Sequence, residues 1–250
     1  VFFTDDRNEE KPLPSNHKSN SFSRNGVLSH LSVADYSRLE TDLEIVPLVF
    51  NSIIYTFEGP IEHVYFPESG VLSMLASSGE DLRVEVGLTG RDGFAGLPLF
   101  LGVPKSSNQV VVQAAGTATR IGAAAALSEF ARGEAFQKAV LQFTHTLFQQ
   151  VSQTTSCNRY HPVEKRLARW LLMMHDRVAS DTMQLTQGFL SWMLGVRNQA
   201  VSLAAINLQE AGLIKYSRGT MNILNRRKLE AAACDCYRVI RTQSNGYLDH

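Results

Sequence analysis

Residues 185–213 read LTQGFLSWMLGVRNQAVSLAAINLQEAGL. Thr186 can cap a helix, and Phe189, Leu190, Met193 and Leu194 give that helix an apolar side. Gly195 ends it, where a residue with positive φ is needed. A second helix is expected from near Arg197 to Ala211, burying Val201, Ala204, Ala205 and Leu208, with Gly212 as its stop. Two short helices joined by a glycine turn around an apolar core make the helix-turn-helix pattern. In that pattern the second helix enters the major groove of DNA with its N-terminal residues against base edges. Here those residues are Arg197, Asn198, Gln199 and Ser202. Arginine reads guanine bidentately, Asn and Gln read adenine, and Ser serves a base or a phosphate. Thr186 and Gln187, which open the first helix, complete the expected contacts from this stretch.

Downstream of Gly212, Leu213-Ile214-Lys215-Tyr216 and Met221-Asn222-Ile223-Leu224 flank Ser217-Arg218-Gly219-Thr220. This reads as a β-hairpin with a basic tip, a wing whose Lys215 and Arg218 suit phosphate contact. Upstream, Val163 to Val178 is expected to be a helix with Val163, Leu167, Trp170, Leu171 and Met174 on one face. Glu164, Lys165, Arg166 and Arg169 fall mostly off that face. Tyr160-His161-Pro162 breaks the pattern before it and reads as a hinge, Pro162 suiting the first turn of a new helix.

From Glu134 to Arg159 there is neither Pro nor Gly, and Phe136, Val140, Phe143, Leu147 and Val151 recur at helical intervals. A helix of about 26 residues would be roughly 39 Å long, more than a small domain usually buries. The stripe is therefore assigned to pairing with a second copy of the chain ahead of an ordinary core helix, with Leu141 and Phe148 widening it so that another side can pack on the preceding domain. Between Leu43 and Ile121 the period is that of short strands: Val46 to Phe50, Ile53 to Phe57, Val64 to Pro67, Val71 to Ala76, the alternation Val84, Val86, Leu88, then Val110 to Val112 and Thr117 to Ile121. Turns separate them, among them Ser77 to Asp81, and the whole reads as a β-roll or sandwich. The glycines at 87, 90, 93 and 96 are read as turns rather than as a phosphate cradle, since they do not match G-x-G-x-x-G.

The chain has no net formal charge, but residues 1–159 carry 12 basic against 17 acidic side chains and residues 160–241 carry 12 against 6. A basic C-terminal third suggests a polyanionic partner. No apolar run reaches the roughly 18 residues of a membrane span, and the polar N-terminus lacks the order of a secretory signal. Three cysteines, Cys157, Cys234 and Cys236, do not make a disulfide framework, so a cytoplasmic location is expected. They are also too few for the four ligands of an iron–sulfur cluster. Cys234-x-Cys236 is assigned to helix packing ahead of metal binding or oxidation sensing, the histidines at 63, 145 and 161 to surface or packing roles ahead of haem ligation, and no metal site is expected. No nucleophile–base pairing or Walker-type loop is visible, so the chain is not read as an enzyme.

The sequence resembles the Crp/Fnr family of transcription regulators. The resemblance runs from Leu28 to Tyr237 and is carried by Gly59-Pro60-Ile61-Glu62-His63-Val64-Tyr65-Phe66-Pro67 with Ser69-Gly70, by Val86-Gly87-Leu88 with Gly90-Arg91-Asp92-Gly93, and by Leu185 to Leu213. It implies an α+β chain with an N-terminal double-stranded β-helix (a jelly-roll-like β-roll), a long dimerisation helix and a C-terminal winged helix-turn-helix. The expected divisions are a disordered leader at 1–25, a cyclic-nucleotide-binding-like sensor domain at 26–133, the dimerisation helix at 134–159, the DNA-binding domain at 160–241 and a tail at 242–250. It further implies a homodimer on a palindromic site in double-stranded DNA, acting with RNA polymerase. In the family's nucleotide cassette a glutamate takes the ribose and an arginine the cyclic phosphate. Here Leu97 stands at the glutamate position, no arginine follows around Ser106 to Gln109, and Lys105 sits too early. Burying a phosphate without a cation is costly, so cyclic AMP is not the expected ligand and no cofactor is assigned. The alternative is a small-molecule sensor whose helix-turn-helix contacts protein instead of DNA.

Overall fold

The computed structural model describes residues 23–77, 79, 83–178 and 180–248, with side chains up to residue 244. Most of the expected leader lies outside these residues, but Asn25 is fully buried and caps α1 (Gly26–Ser29). Its side-chain oxygen accepts from the N–H groups of Val27 and Leu28 at 3.0 and 3.4 Å. Its NH2 group donates to Pro67 O at 3.0 Å and Gly93 O at 2.8 Å. All four hydrogen-bonding positions of the amide are thereby used, so the folded roll takes in a residue that had been assigned to the leader.

After α2 (Val33–Glu40) come β1 (Leu43–Leu48), β2 (Ile53–Tyr55), β3 (His63–Pro67), β4 (Val71–Ser77) and β5 (Arg83–Thr89). The short α3 (Leu97–Phe100) separates these from β6 (Gln109–Ala114) and β7 (Gly116–Gly122). The strands pair antiparallel in two sheets, ordered β1-β7-β3 and β2-β6-β4-β5. Ser77 pairs with Arg83, and most of the hairpin tip expected at 77–81 lies outside the described residues. The second sheet is covered on both faces. Leu72, Val110 and Val112 belong to the roll interior, while Val71, Leu75 and Val111 belong to a core shared with the C-terminal module. That double burial accounts for the unbroken apolar run Val110 to Val112, because alternation is needed only where one face is wet.

The helices that follow are α4 (Ala123–Ala131), α5 (Ala135–Tyr160) and α6 (Val163–Val178). α5 has the expected length, and His161, with extended backbone, breaks it from α6 at the expected hinge. The assignment of its apolar stripe is corrected. Phe136, Val140, Phe143 and Leu147 are buried inside the roll of the same chain, and Val151 packs against them, so this stripe is not open to a partner. An aromatic cluster holds it: the Phe143 ring is 4.7 Å from Phe94, and Phe136 lies 6.3 Å from Phe66 and 5.8 Å from Phe100. The exposed row of α5 is instead Lys138, Leu141, His145, Phe148 and Ser152, with Leu141 50% and Phe148 70% exposed.

The glycine row also does more than turn the chain. Gly90 to Gly93 is a turn, closed by the Gly93 N–H donating to Gly90 O at 3.2 Å, but Gly87 lies within β5. A Cβ at Gly93 would sit 1.9 Å from the Phe143 ring, so only glycine lets α5 come this close.

The C-terminal module adds β8 (Thr182–Gln184), α7 (Gln187–Leu194), α8 (Asn198–Glu210), β9 (Ile214–Ser217), β10 (Thr220–Ile223), α9 (Arg226–Ala232) and α10 (Cys236–Leu248). Its core gathers Leu167, Trp170 and Leu171 of α6 with Leu190, Val201 and Leu208. Arg166 and Arg169, expected off the apolar face, are buried, because each serves as an internal tie. Arg166 donates to Leu194 O and, at 3.1 Å, to Asn158 Oδ1; Arg169 donates to Thr154 Oγ1 at 3.1 Å. α10 packs along α5, and the three cysteines lie buried between these elements. Among the described residues no helix is long and apolar enough to cross a membrane.

Candidate nucleic-acid interface

The geometry of α7 and α8 follows from a cap, a glycine stop and one longer-range tie. The Phe189 N–H donates to the Thr186 hydroxyl at 3.2 Å, capping α7. Gly195 takes the left-handed conformation at φ 59° and stops it. The Arg166 guanidinium holds the carbonyl of Leu194, one of the orphan acceptors at this helix end. α8 then starts at Asn198, with Arg197 in extended backbone before it and contributing no side-chain cap.

Arg197, Asn198 and Gln199 are exposed at the start of α8, and Lys215 and Arg218 are exposed in and beside β9. Among the described residues no hydrogen bond or ion pair engages these five side chains. Gln187 is likewise exposed. Two of the expected contacts are arranged differently: Ser202 turns its hydroxyl back to donate to Asn198 O at 3.0 Å, and the Thr186 oxygen is used in the cap. Leu203 and Ile206, 62% and 50% exposed, continue the face that begins at Gln199. Spacing along α8 separates them from the buried Val201, Ala204, Ala205 and Leu208. Apolar side chains in this place can meet thymine methyl groups.

The wing forms as expected. Arg218 and Gly219 both have positive φ, 49° and 77°, the geometry of a tight two-residue hairpin loop. Ser217 pairs with Thr220 across it. β8, which the sequence pattern did not reveal, pairs with β10 and makes the wing three-stranded. The Leu185 N–H donates to Gly219 O at 2.7 Å, and the Tyr216 hydroxyl donates to Leu185 O at 2.8 Å. The Tyr216 N–H also reaches Gln209 Oε1 at 2.8 Å, so wing, α7 and α8 form one connected body.

This body rests against the roll. The Arg83 guanidinium lies 5.8 Å from the Trp192 ring, and Gly195 packs on Val84. Below, the Trp170 indole N–H donates to Glu85 Oε1 at 2.8 Å, while Ser73 donates to Glu85 Oε2 at 2.5 Å. Glu85 is buried. Burial pushes its carboxyl up to about 7, against the opposing pull of the Ser73 and Trp170 bonds. Arg177 pairs with Asp92 at the far end of the same joint. In the roll Leu97 opens α3, and Lys105 is exposed.

Residues 165–232 match the Crp-like helix-turn-helix domain family. No curated protein matches the sequence. The structure is similar to that of a Crp/Fnr-family protein from Eubacterium rectale, with TM-score 0.66 and 18% identity over 81% of this chain and 94% of the other. It is also similar to CLP, a c-di-GMP-responsive global regulator from Xanthomonas campestris, with TM-score 0.63 and 14% identity over 77% and 99% of the two chains. A third likeness is to FixK2 from Bradyrhizobium japonicum, with TM-score 0.63 and 15% identity over 77% and 98%. Residues 165–232 are therefore a Crp-like helix-turn-helix domain, within a chain that has the fold of the Crp/Fnr transcription regulators.

Proposed function

We propose that the chain regulates transcription by binding double-stranded DNA as a homodimer, each copy laying α8 in a major groove of a palindromic site and meeting RNA polymerase there. The observation that carries this reading is the unengaged, exposed trio Arg197, Asn198 and Gln199 opening α8 beside a rigid basic wing. Two such helices must sit about 34 Å apart to reach successive grooves on one side of DNA. The exposed row of α5 supports a seam able to hold that spacing, because Lys138, Leu141, His145, Phe148 and Ser152 recur at alternating intervals of three and four. Cyclic AMP is not the ligand in this reading, since Leu97 and the exposed Lys105 leave its ribose and phosphate unpaired.

Selection of preferred sites from random DNA tests the reading. Arg197→Ala or Gln199→Ala should cost about 1–3 kcal/mol at the best site and relax preference at one base step. Arg218→Ala should weaken all sequences alike and lower the salt dependence by about one counterion. An unchanged preferred sequence for both α8 variants defeats base reading. Binding that ignores salt favours a module for protein contact.

A further inference from the structure

Among the described residues two groups of metal-ligating side chains converge. Asp35, Glu129 and Glu134 do so around Arg38, which forms ion pairs with them at 2.6, 2.7 and 2.7 Å, so a guanidinium already fills that place. The other group has no such occupant. Cys157 lies in the last turn of α5, His161 is the residue that ends it, Cys236 opens α10, and Cys234 lies two residues before it. Their four ligand atoms all lie within 4.8 Å of one another. Cys157 Sγ is 3.4 Å from Cys234 Sγ, and Cys236 Sγ is 3.5 Å from His161 Nδ1.

We propose that Cys157, His161, Cys234 and Cys236 form a tetrahedral Cys3His site for one zinc ion. Zinc–sulfur bonds near 2.3 Å and zinc–nitrogen bonds near 2.0 Å set ligand atoms roughly 3.5–3.8 Å apart in a tetrahedron. The observed spread meets that geometry after movements smaller than about 1 Å. Three thiols and one imidazole are a closed, soft donor set, which suits a structural zinc site rather than magnesium or calcium.

The surroundings supply an independent argument. Arg166 and Arg169 are buried within electrostatic reach of Cys157, yet among the described residues neither forms an ion pair. Among the described residues the Nε of Arg169 has no hydrogen-bond partner. Buried cations need a counter-charge; Arg169 has the Glu85 carboxyl within electrostatic reach, and a zinc ion with three thiolates would add one net negative charge beside both guanidiniums. Gln153 adds an outer contact, its side-chain N–H donating to Cys236 Sγ at 3.0 Å, as groups around a metal site commonly do. Binding releases the three thiol protons to solvent as the thiolates form. The ion would join the end of α5 to the start of α10 across the His161-Pro162 hinge, and this assignment does not depend on DNA binding.

The test uses the full chain, purified without chelator. Elemental analysis should find one zinc per chain, and the three thiols should resist alkylation until a strong chelator is added. Cobalt(II) added to the chelated protein should give, at one equivalent, the intense visible bands of a tetrahedral thiolate complex. Cys234→Ser and Cys236→Ser should each weaken cobalt binding more than about a hundredfold, and Gln153→Ala about tenfold. If a cysteine variant does not fold, the alkylation comparison on the unaltered chain decides. Thiols that alkylate freely with or without zinc overturn the site, and so does a mass two hydrogens lower, the mark of a Cys157–Cys234 disulfide. Iron with acid-labile sulfide overturns it in favour of a cluster.

Discussion

α5 and α6 lie against the same β-roll but are held by different physics. α5 enters through shape: Phe143 sits over Gly93 and Leu147 over Gly87, and Gln150 pairs with both backbone groups of Leu88 at 2.8 and 3.1 Å, closing the edge of β5. α6 covers the opposite face of the sheet, and its joint includes polar ties: Trp170 to Glu85 and Arg177 to Asp92. Packed rings have no state in which they let go short of unfolding. A buried carboxyl has two protonation states of different stability. The roll and α5 should therefore behave as one body, whereas the attachment of the C-terminal module should vary with the protonation of Glu85.

The sharpest way to break this contrast is at Phe143. Phe143→Ala removes a buried ring whose place the glycine floor cannot refill, and should destabilise the roll by about 3–5 kcal/mol in denaturant unfolding. A loss below about 1 kcal/mol would mean that α5 is as loosely held as α6.

Glu85 gives the next largest effect. Its carboxyl titrates near 7 in the folded chain against an ordinary 4.5. Between those values the folded protein keeps a proton that the unfolded chain has lost. Stability should thus be highest below about pH 4.5 from this group and fall as pH rises to about 7, by on the order of 3 kcal/mol. Glu85→Gln keeps a neutral partner for Trp170 and Ser73 and should remove that slope, so variant and parent differ most at pH 8. Equal slopes in unfolding at pH 5 and pH 8 would rule out the titrating joint.

The smallest effect on folding belongs to the outer row of α5. Leu141→Glu with Phe148→Glu changes exposed positions and should alter the stability of the single chain by no more than about 0.5 kcal/mol. The same pair should halve the mass in light scattering, since like charges facing their symmetry mates oppose pairing. A double variant that stays dimeric places the seam elsewhere.

The helix-turn-helix and wing were legible in the chain because caps and turns are local. Thr186, Gly195 and Gly219 each declare a backbone conformation through their own chemistry. The strands of the roll were legible for a similar reason, through period and punctuation. What the pattern did not carry was the neighbour of each face. A helical period shows that Phe136, Val140, Phe143 and Leu147 share a side, but only the fold shows that their own roll covers it. The cysteine–histidine group was hidden by distance along the chain: Cys157 and Cys234 are 77 residues apart, and the second pair of ligands has no familiar spacing. Arg166 and Arg169 misled for a third reason, since a guanidinium on a helix is usually wet, and these two stay inside by bonding a carbonyl, an amide and a hydroxyl.

Asn25 has a consequence for how the protein ages. It precedes Gly26, and an asparagine before glycine in a loose chain readily cyclises through attack of the next backbone nitrogen on its side-chain carbonyl, expelling ammonia. Here the side chain is fixed in all four of its hydrogen bonds, and the attacking nitrogen is tied up as well, the Gly26 N–H donating to Arg91 O at 2.6 Å. Any aspartate formed would turn a carboxylate toward the carbonyls of Pro67 and Gly93, where a donor is required. The folded roll thus protects this asparagine from the clock, and a stored sample that gains one mass unit at this site records how often the roll has opened.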